Sequence, residues 1–117
     1  MRDLTKIKSE ADIRHVLSDR TKFEQDVYVA TFKIPEGKVS TYGRIAKKIG
    51  RPKAYRAVAS ALKRNPLHPV VPCHRVVKSD GSFGGDSKRA AGRRKQVIEE
   101  GVPVEDGRVR ITEDVLY

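Results

Sequence analysis

Residues 41–64 read Thr41-Tyr42-Gly43-Arg44-Ile45-Ala46-Lys47-Lys48-Ile49-Gly50-Arg51-Pro52-Lys53-Ala54-Tyr55-Arg56-Ala57-Val58-Ala59-Ser60-Ala61-Leu62-Lys63-Arg64. Two helical periods stand either side of one tight turn. Tyr42, Ile45, Ala46 and Ile49 fall on one helix face, and Ser40 or Thr41 precedes them as an N-cap. Gly50-Arg51-Pro52 interrupts the pattern. Over residues 53–64, Ala54, Ala57, Val58, Ala61 and Leu62 repeat at core spacing, the clearest helix signal in the chain. Two short helices around a glycine-containing turn predict a helix-turn-helix. The outer side of the second helix carries Tyr55, Arg56, Ser60 and Lys63, with Ala59 among them. Small residues there let a helix backbone approach a nucleic acid, and long basic ones reach phosphates.

The charge distribution points the same way. From Lys38 to Ser79 there is no Asp or Glu, while eleven Lys and Arg fall in that stretch. The whole chain of 117 residues has 25 Lys and Arg against 15 Asp and Glu, a formal charge of +10. Because the excess is local, nucleic acid is the expected partner. A membrane is not: no long basic amphipathic helix with aromatic anchors, no transmembrane-length run and no signal-peptide core is present. One unpaired cysteine fits a reducing compartment, so the expected location is cytoplasmic, at the nucleoid or chromatin.

Working outward, residues 1–8 read as a loose polar start. Residues 9–20 predict a short helix capped by Ser9, with Ile13, Val16 and Leu17 on one face. Residues 23–33 predict a second, with Phe23, Val27, Ala30 and then Ile34 inward, ended by Pro35-Glu36-Gly37. After Asn65-Pro66, the β-branched run 70–77 reads as a turn into a strand. A loop follows through Gly84-Gly85, and residues 88–100 predict a last helix with Ala91, Arg94, Val97 and Ile98 along one side. Gly101 is its C-cap, and residues 102–111 form a hairpin around Asp106-Gly107. The expected fold is mainly α with a small β element, a single winged helix-turn-helix-like DNA-binding domain. Its parts are an N-terminal extension with a short helix (1–22), the main body (23–101) and a C-terminal hairpin tail (102–117).

Inside the apolar run stands Pro72-Cys73-His74-Arg75-Val76. Cys73 is the only cysteine, so it has no internal disulfide partner and no companions for a cysteine zinc site; no metal is expected. A lone cysteine in an apolar run is by default core packing. With a histidine beside it, the alternative is a poised nucleophile. His15 and His68 read as incidental.

Pro72-Cys73-His74-Arg75-Val76-Val77 resembles the active-site signature of the 6-O-alkylguanine-DNA alkyltransferases. Val39-Ser40-Thr41-Tyr42-Gly43 resembles the family's first DNA-contacting helix, and Arg51-Pro52-Lys53-Ala54-Tyr55-Arg56-Ala57-Val58 its recognition helix. Asn65-Pro66 resembles its hinge and Glu99-Glu100-Gly101 the end of its closing helix, all in family order. The resemblance implies binding of double-stranded DNA through the minor groove, flipping of an alkylated guanine, and transfer of the alkyl group to Cys73. It implies that His74 acts as base through a water, that Glu100 orients it, and that Tyr42 donates to the guanine. Asn65 would brace the turn and Arg56 would enter the base stack. Lys53, Tyr55, Ala57, Ser60, Thr41, Arg51 and Ser79 would contact DNA, while Ser87, Val76 and Arg75 would line the base pocket. One departure concerns the pocket loop, where Gly84-Gly85-Asp86-Ser87-Lys88-Arg89 stands in place of Tyr-Ser-Gly-Gly. Asp86 takes the aromatic position and Lys88 a glycine position.

Larger members carry a further N-terminal domain, where about 22 residues stand here. The hairpin also resembles the alkyltransferase-like proteins, short relatives that bind alkylated guanine, lack the cysteine and recruit excision repair. A thioether is not reversed by thiols, and no second cysteine is present, so the resemblance implies one turnover and no cofactor. Three readings follow: a suicide alkyltransferase, a lesion sensor that calls a repair partner, and a helix-turn-helix regulator with an incidental cysteine.

Overall fold

The computed structural model describes residues 4–117. The expected loose start is therefore described only from Leu4, and Met1, Arg2 and Asp3 lie outside the described residues. A single turn of 3-10 helix, Leu4–Lys6, leads to Ile7, which is buried.

Five α-helices carry the chain, and local chemistry sets their ends. The first, α1, is Glu10–Val16; the Ser9 hydroxyl caps it by accepting from the Asp12 N–H. It is shorter than the expected 9–20 because the Gln25 amide donates to the carbonyls of Leu17 and Arg20, which satisfies the chain as it leaves the helix. Next is α2, Lys22–Phe32, where Thr21 accepts from the Glu24 N–H. The pair α3, Tyr42–Lys48, and α4, Tyr55–Lys63, forms the helix-turn-helix. Helix α4 begins at residue 55 rather than 53, since Ala54 has no side-chain oxygen for a cap and its N–H closes a turn on Arg51 O. Last is α5, Ser87–Glu99, one residue earlier than expected, because Asp86 accepts from the Arg89 N–H and starts it.

Helices α1 to α4 share one core. Ile13 and Leu17 pack with Val27, Tyr28, Ile34, Ile45, Ala46, Val58, Ala61 and Leu62. Each buried Val, Leu or Ile among them contributes roughly 1.5–3 kcal/mol. The Tyr28 hydroxyl donates to Ala61 O at 2.7 Å and ties α2 to α4. The inner stripe of α4 is narrower than its sequence pattern: Val58, Ala61 and Leu62 are buried, but Ala57 faces solvent. Helix α5 differs in the same sense, with only Val97 buried and Ala91, Arg94 and Ile98 exposed.

The β structure is small. Strand β1 (Ser40–Thr41) pairs in parallel with β2 (Val76–Val77), Ser40 opposite Val76 and Thr41 opposite Val77. The run 70–77, expected to enter a strand, supplies only β2. Pro72 has no N–H for a ladder, and Cys73–Arg75 form a 3-10 turn. The hairpin comprises β3 (Val104–Glu105) and β4 (Arg108–Val109), turning at Asp106 and Gly107 with φ of 53° and 76°. The chain then returns so that Val39 N–H donates to Val115 O and Tyr117 N–H to Val39 O, each at 2.8 Å. Val102, Val109 and Val115 thereby complete a second apolar cluster with Val39, Val77, Phe83 and Val97. Gly81 permits this closure: its φ is +85°, and a Cβ there would lie 2.3 Å from Val109 O.

Candidate active site and nucleic-acid cleft

The parallel β1–β2 pair places the start of α3 beside the segment that carries Cys73. Asn65 fixes the approach to that segment. Its amide donates to Val71 O at 2.7 Å and its carbonyl accepts from the Leu67 N–H at 2.9 Å. The Cys73 N–H then bonds Val71 O at 2.9 Å, and one 3-10 turn presents Cys73, His74 and Arg75 in succession.

His74 is 3% exposed, and its Nε2 lies 3.0 Å from Glu100 Oε2. The same carboxylate accepts from Arg75 Nε at 2.9 Å and Nη2 at 2.7 Å, while Arg75 Nη1 donates to Ile34 O at 2.8 Å. Burial lowers the His74 pKa more than the Glu100 carboxylate raises it, so the ring is neutral at neutral pH. With Nε2–H donating to Glu100, Nδ1 is the unprotonated nitrogen. It is buried and meets no partner among the described residues, which leaves it free to accept a proton.

Cys73 is 9% exposed. Burial raises the thiol pKa, but the His68 hydrogen bond, the Arg93 charge and Asn65 outweigh it, and the net shift is downward. Tyr42 is held the other way: burial raises its pKa despite Arg93, so it is a phenol at neutral pH. Arg93 Nη1 donates to Tyr42 Oη at 3.0 Å, which leaves the phenol hydrogen available to another acceptor. Gly84 sits so close that a Cβ would stand 2.5 Å from that oxygen.

Tyr42, Gly84 and Arg93 form part of the wall of a cleft of about 730 Å³ between α4 and the start of α5. Its lining has five cations, Arg56, Lys63, Lys78, Arg89 and Arg93, and no acid among the described residues. A low-dielectric groove lined by one sign of charge concentrates a polyanion. Cys73 itself is not on the lining. Two wall residues, Tyr42 and Arg93, couple electrostatically with its sulfur. Among the described residues no cluster of His, Cys, Asp and Glu is suited to hold a metal, and no helix is long and apolar enough to cross a membrane.

The profile of the "6-O-methylguanine DNA methyltransferase, DNA binding domain" family matches residues 22–102. The chain belongs to this family. A methylated-DNA–protein-cysteine methyltransferase of Methanosarcina mazei is 51% identical over 65 residues, covering 56% of this chain and 41% of the relative. The chain thus spans less than half the length of that curated relative. Among solved structures, the Mycobacterium tuberculosis O6-methylguanine methyltransferase matches with a TM-score of 0.66 at 38% identity, over 74% of this chain and 53% of that one. S. pombe ATL in complex with DNA matches with a TM-score of 0.72 at 32% identity, over 84% of this chain and 97% of that one.

Of the residues singled out in this methyltransferase-family sequence, the fold gathers His74, Glu100 and Arg75 into one network and sets Asn65 under Cys73. It brings Thr41, Tyr42, Tyr55, Arg56, Ser60 and Ser79 to the cleft. Lys53, Ala57 and Arg51 are exposed but off its lining, and Arg51 lies over the Phe23 ring. The expected pocket trio does not assemble there. Val76 is core, Arg75 faces Glu100, and Ser87 is exposed at the first turn of α5. Asp86, at the family's aromatic position, serves as the α5 N-cap. Two residues escaped the sequence reading. Arg93 lies in a basic helix with no local mark of function. His68, which reads as incidental in the sequence, places Nδ1 3.5 Å from Cys73 Sγ; its separation from Cys73 by five positions in a proline-broken segment is the one local signal.

Proposed function

We propose that this domain repairs DNA directly, moving an alkyl group from O6 of guanine in duplex DNA onto Cys73. The observation that carries the proposal is a thiol 3.5 Å from the His68 imidazole, followed in the chain by His74 with its Glu100 partner, and coupled to Tyr42 and Arg93 on the wall of a cleft lined by five cations. The backbone of the duplex lies along Arg56, Lys63, Lys78 and Arg89, approached from the minor groove. Arg56 enters the stack in place of the extruded guanine. Flipping costs a few kcal/mol, least for a badly paired lesion, and the phosphate contacts offset it.

In the pocket the thiol gives up its proton, Sγ attacks the alkyl carbon, and the carbon–O6 bond breaks with its electron pair left on guanine. Tyr42 assists by donating to the base, and guanine ends protonated. His74 Nδ1, held as an acceptor by Glu100, takes the thiol proton through a water. Because the thioether has no route back to a thiol, each molecule acts once.

A second reading is favoured by the extent of the ATL match, which covers nearly all of that chain. In it the domain flips the lesion, keeps its thiol unalkylated and signals to a repair partner. Intact-mass measurement after incubation with duplex DNA containing O6-methylguanine separates the readings. A gain of one methylene on Cys73 is expected. Lesion-selective binding with unchanged mass would replace transfer by sensing, and preference for an undamaged sequence would remove both.

A further inference from the structure

Cys73 hydrogen-bonds an imidazole other than the one the sequence motif supplies. His68 Nδ1 stands 3.5 Å from Sγ, and the His68 and His74 rings meet edge to face with centroids 5.4 Å apart. The far side of the His68 ring is also held: its Nε2 lies 3.2 Å from the Gln96 amide nitrogen on α5. His74, by contrast, spends its Nε2 on Glu100 and is 3% exposed. His68 is exposed, so a proton it receives can pass to solvent. We propose that His68 is a second catalytic base in this chain, taking the Cys73 thiol proton directly by a route parallel to the water-mediated one through His74, and holding the thiolate until the sulfur attacks. This deepens the alkyl-transfer reading and rests on it.

The Gln96 contact suits both states of the ring. When the Gln96 NH2 donates to Nε2, the neutral imidazole carries its hydrogen on Nδ1 and donates it to sulfur. When the amide turns over, its oxygen accepts from Nε2–H, and Nδ1 is the acceptor for the thiol. Proton transfer then gives imidazolium and thiolate, with Nδ1–H pointing at the sulfur and Nε2–H at the Gln96 oxygen. The S–C bond forms, the C–O6 bond breaks, guanine takes a proton, and His68 releases one to water, so the protons balance. The other groups facing the pair are His74 on the same segment, Tyr42 on α3, Arg93 on α5, Asn65 below, and Glu100 behind His74. Arg93 favours the thiolate through its charge but is no proton acceptor.

Thiolate absorbance in the ultraviolet, followed against pH without DNA and blanked with Cys73→Ser, tests the pair. His68→Ala and His68→Asn, each checked for native circular dichroism, are expected to titrate at higher pH. At pH 7 they should show about tenfold less thiolate, the effect of one lost hydrogen bond to a charged sulfur. Single-turnover transfer from alkylated DNA should fall by about the same factor near neutrality and recover in alkali, where the thiol ionises unaided. A merely structural role would not be rescued by base. Thiol titrations that superimpose on the wild type overturn the proposal. If a variant unfolds, the 15N chemical shift of His68 Nδ1 at one pH, compared between the wild type and Cys73→Ala, decides: a changed shift supports the pair, and identical shifts overturn it. A wild type that titrates as expected yet gains no mass from alkylated DNA sinks the transfer reading and leaves the pair standing.

Discussion

Glu100→Ala removes one carboxylate that receives three hydrogen bonds, one from His74 and two from Arg75. The side chains of Glu100 and Arg75 are 13% and 17% exposed, so both charges are largely out of water. After the substitution Arg75 keeps only its bond to Ile34 O, and the buried His74 N–H has no acceptor. Breaking one partner out of a buried ion pair costs about 3–5 kcal/mol. An unsatisfied buried N–H adds about 1–3 kcal/mol. Partial solvent access to Arg75 and water entering the space left by Glu100 relieve part of both, so the expected loss is about 3–4 kcal/mol. For a domain of this size that lowers Tm by about 12–16 °C. Thermal unfolding followed by circular dichroism reads it.

The pH dependence gives a second check. The Glu100 pKa is raised by burial but lowered further by Arg75 and His74, and the net shift is downward. Its contribution is therefore complete above the ordinary value of 4.5 and is lost as pH falls through the depressed folded value. Glu100→Ala should flatten that acid limb. His74, whose folded pKa is depressed by burial, makes the wild type lose stability as pH falls below 6.5. Removing Glu100 takes away the influence that raises it and carries that loss to lower pH. A variant within about 1 kcal/mol of the wild type, with an unchanged acid limb, would mean that the carboxylate is solvated and that the network has no hold on His74.

Three further outcomes follow from particular contacts. Tyr28→Phe deletes the buried bond to Ala61 O and should cost about 1–2 kcal/mol in denaturant melts, with the m-value unchanged. Gly84→Ala puts a methyl 2.5 Å from Tyr42 Oη, which must shift; transfer should slow by more than stability falls, and an unaltered rate would show that the Tyr42 position is uncritical. Arg56→Ala should leave the fold intact, reduce the 2-aminopurine fluorescence rise beside a lesion, and lessen the salt dependence of DNA binding; an unchanged rise removes Arg56 from the stack.

What the sequence determined on its own was local. The periods of α3 and α4, the breaks at Gly50 and at Asn65-Pro66, the Ser9 cap and the Asp106-Gly107 turn each arise from neighbours within a few residues. The Cys73-His74 pair was visible for the same reason, and its tie to Glu100 came only through family likeness. Contacts between distant segments lay beyond local pattern. The β1–β2 pair joins strands of two residues each, too short for a period of two to register. Arg75 meets Glu100 across 25 positions, and Arg93 meets Tyr42 across 51. His68 comes against Cys73 only because of the path the chain takes between Asn65 and the 3-10 turn. A hydrogen bond leaves its mark on sequence only where the backbone between its partners has a repeating geometry. Across loops and between helices, packing alone decides which side chains meet.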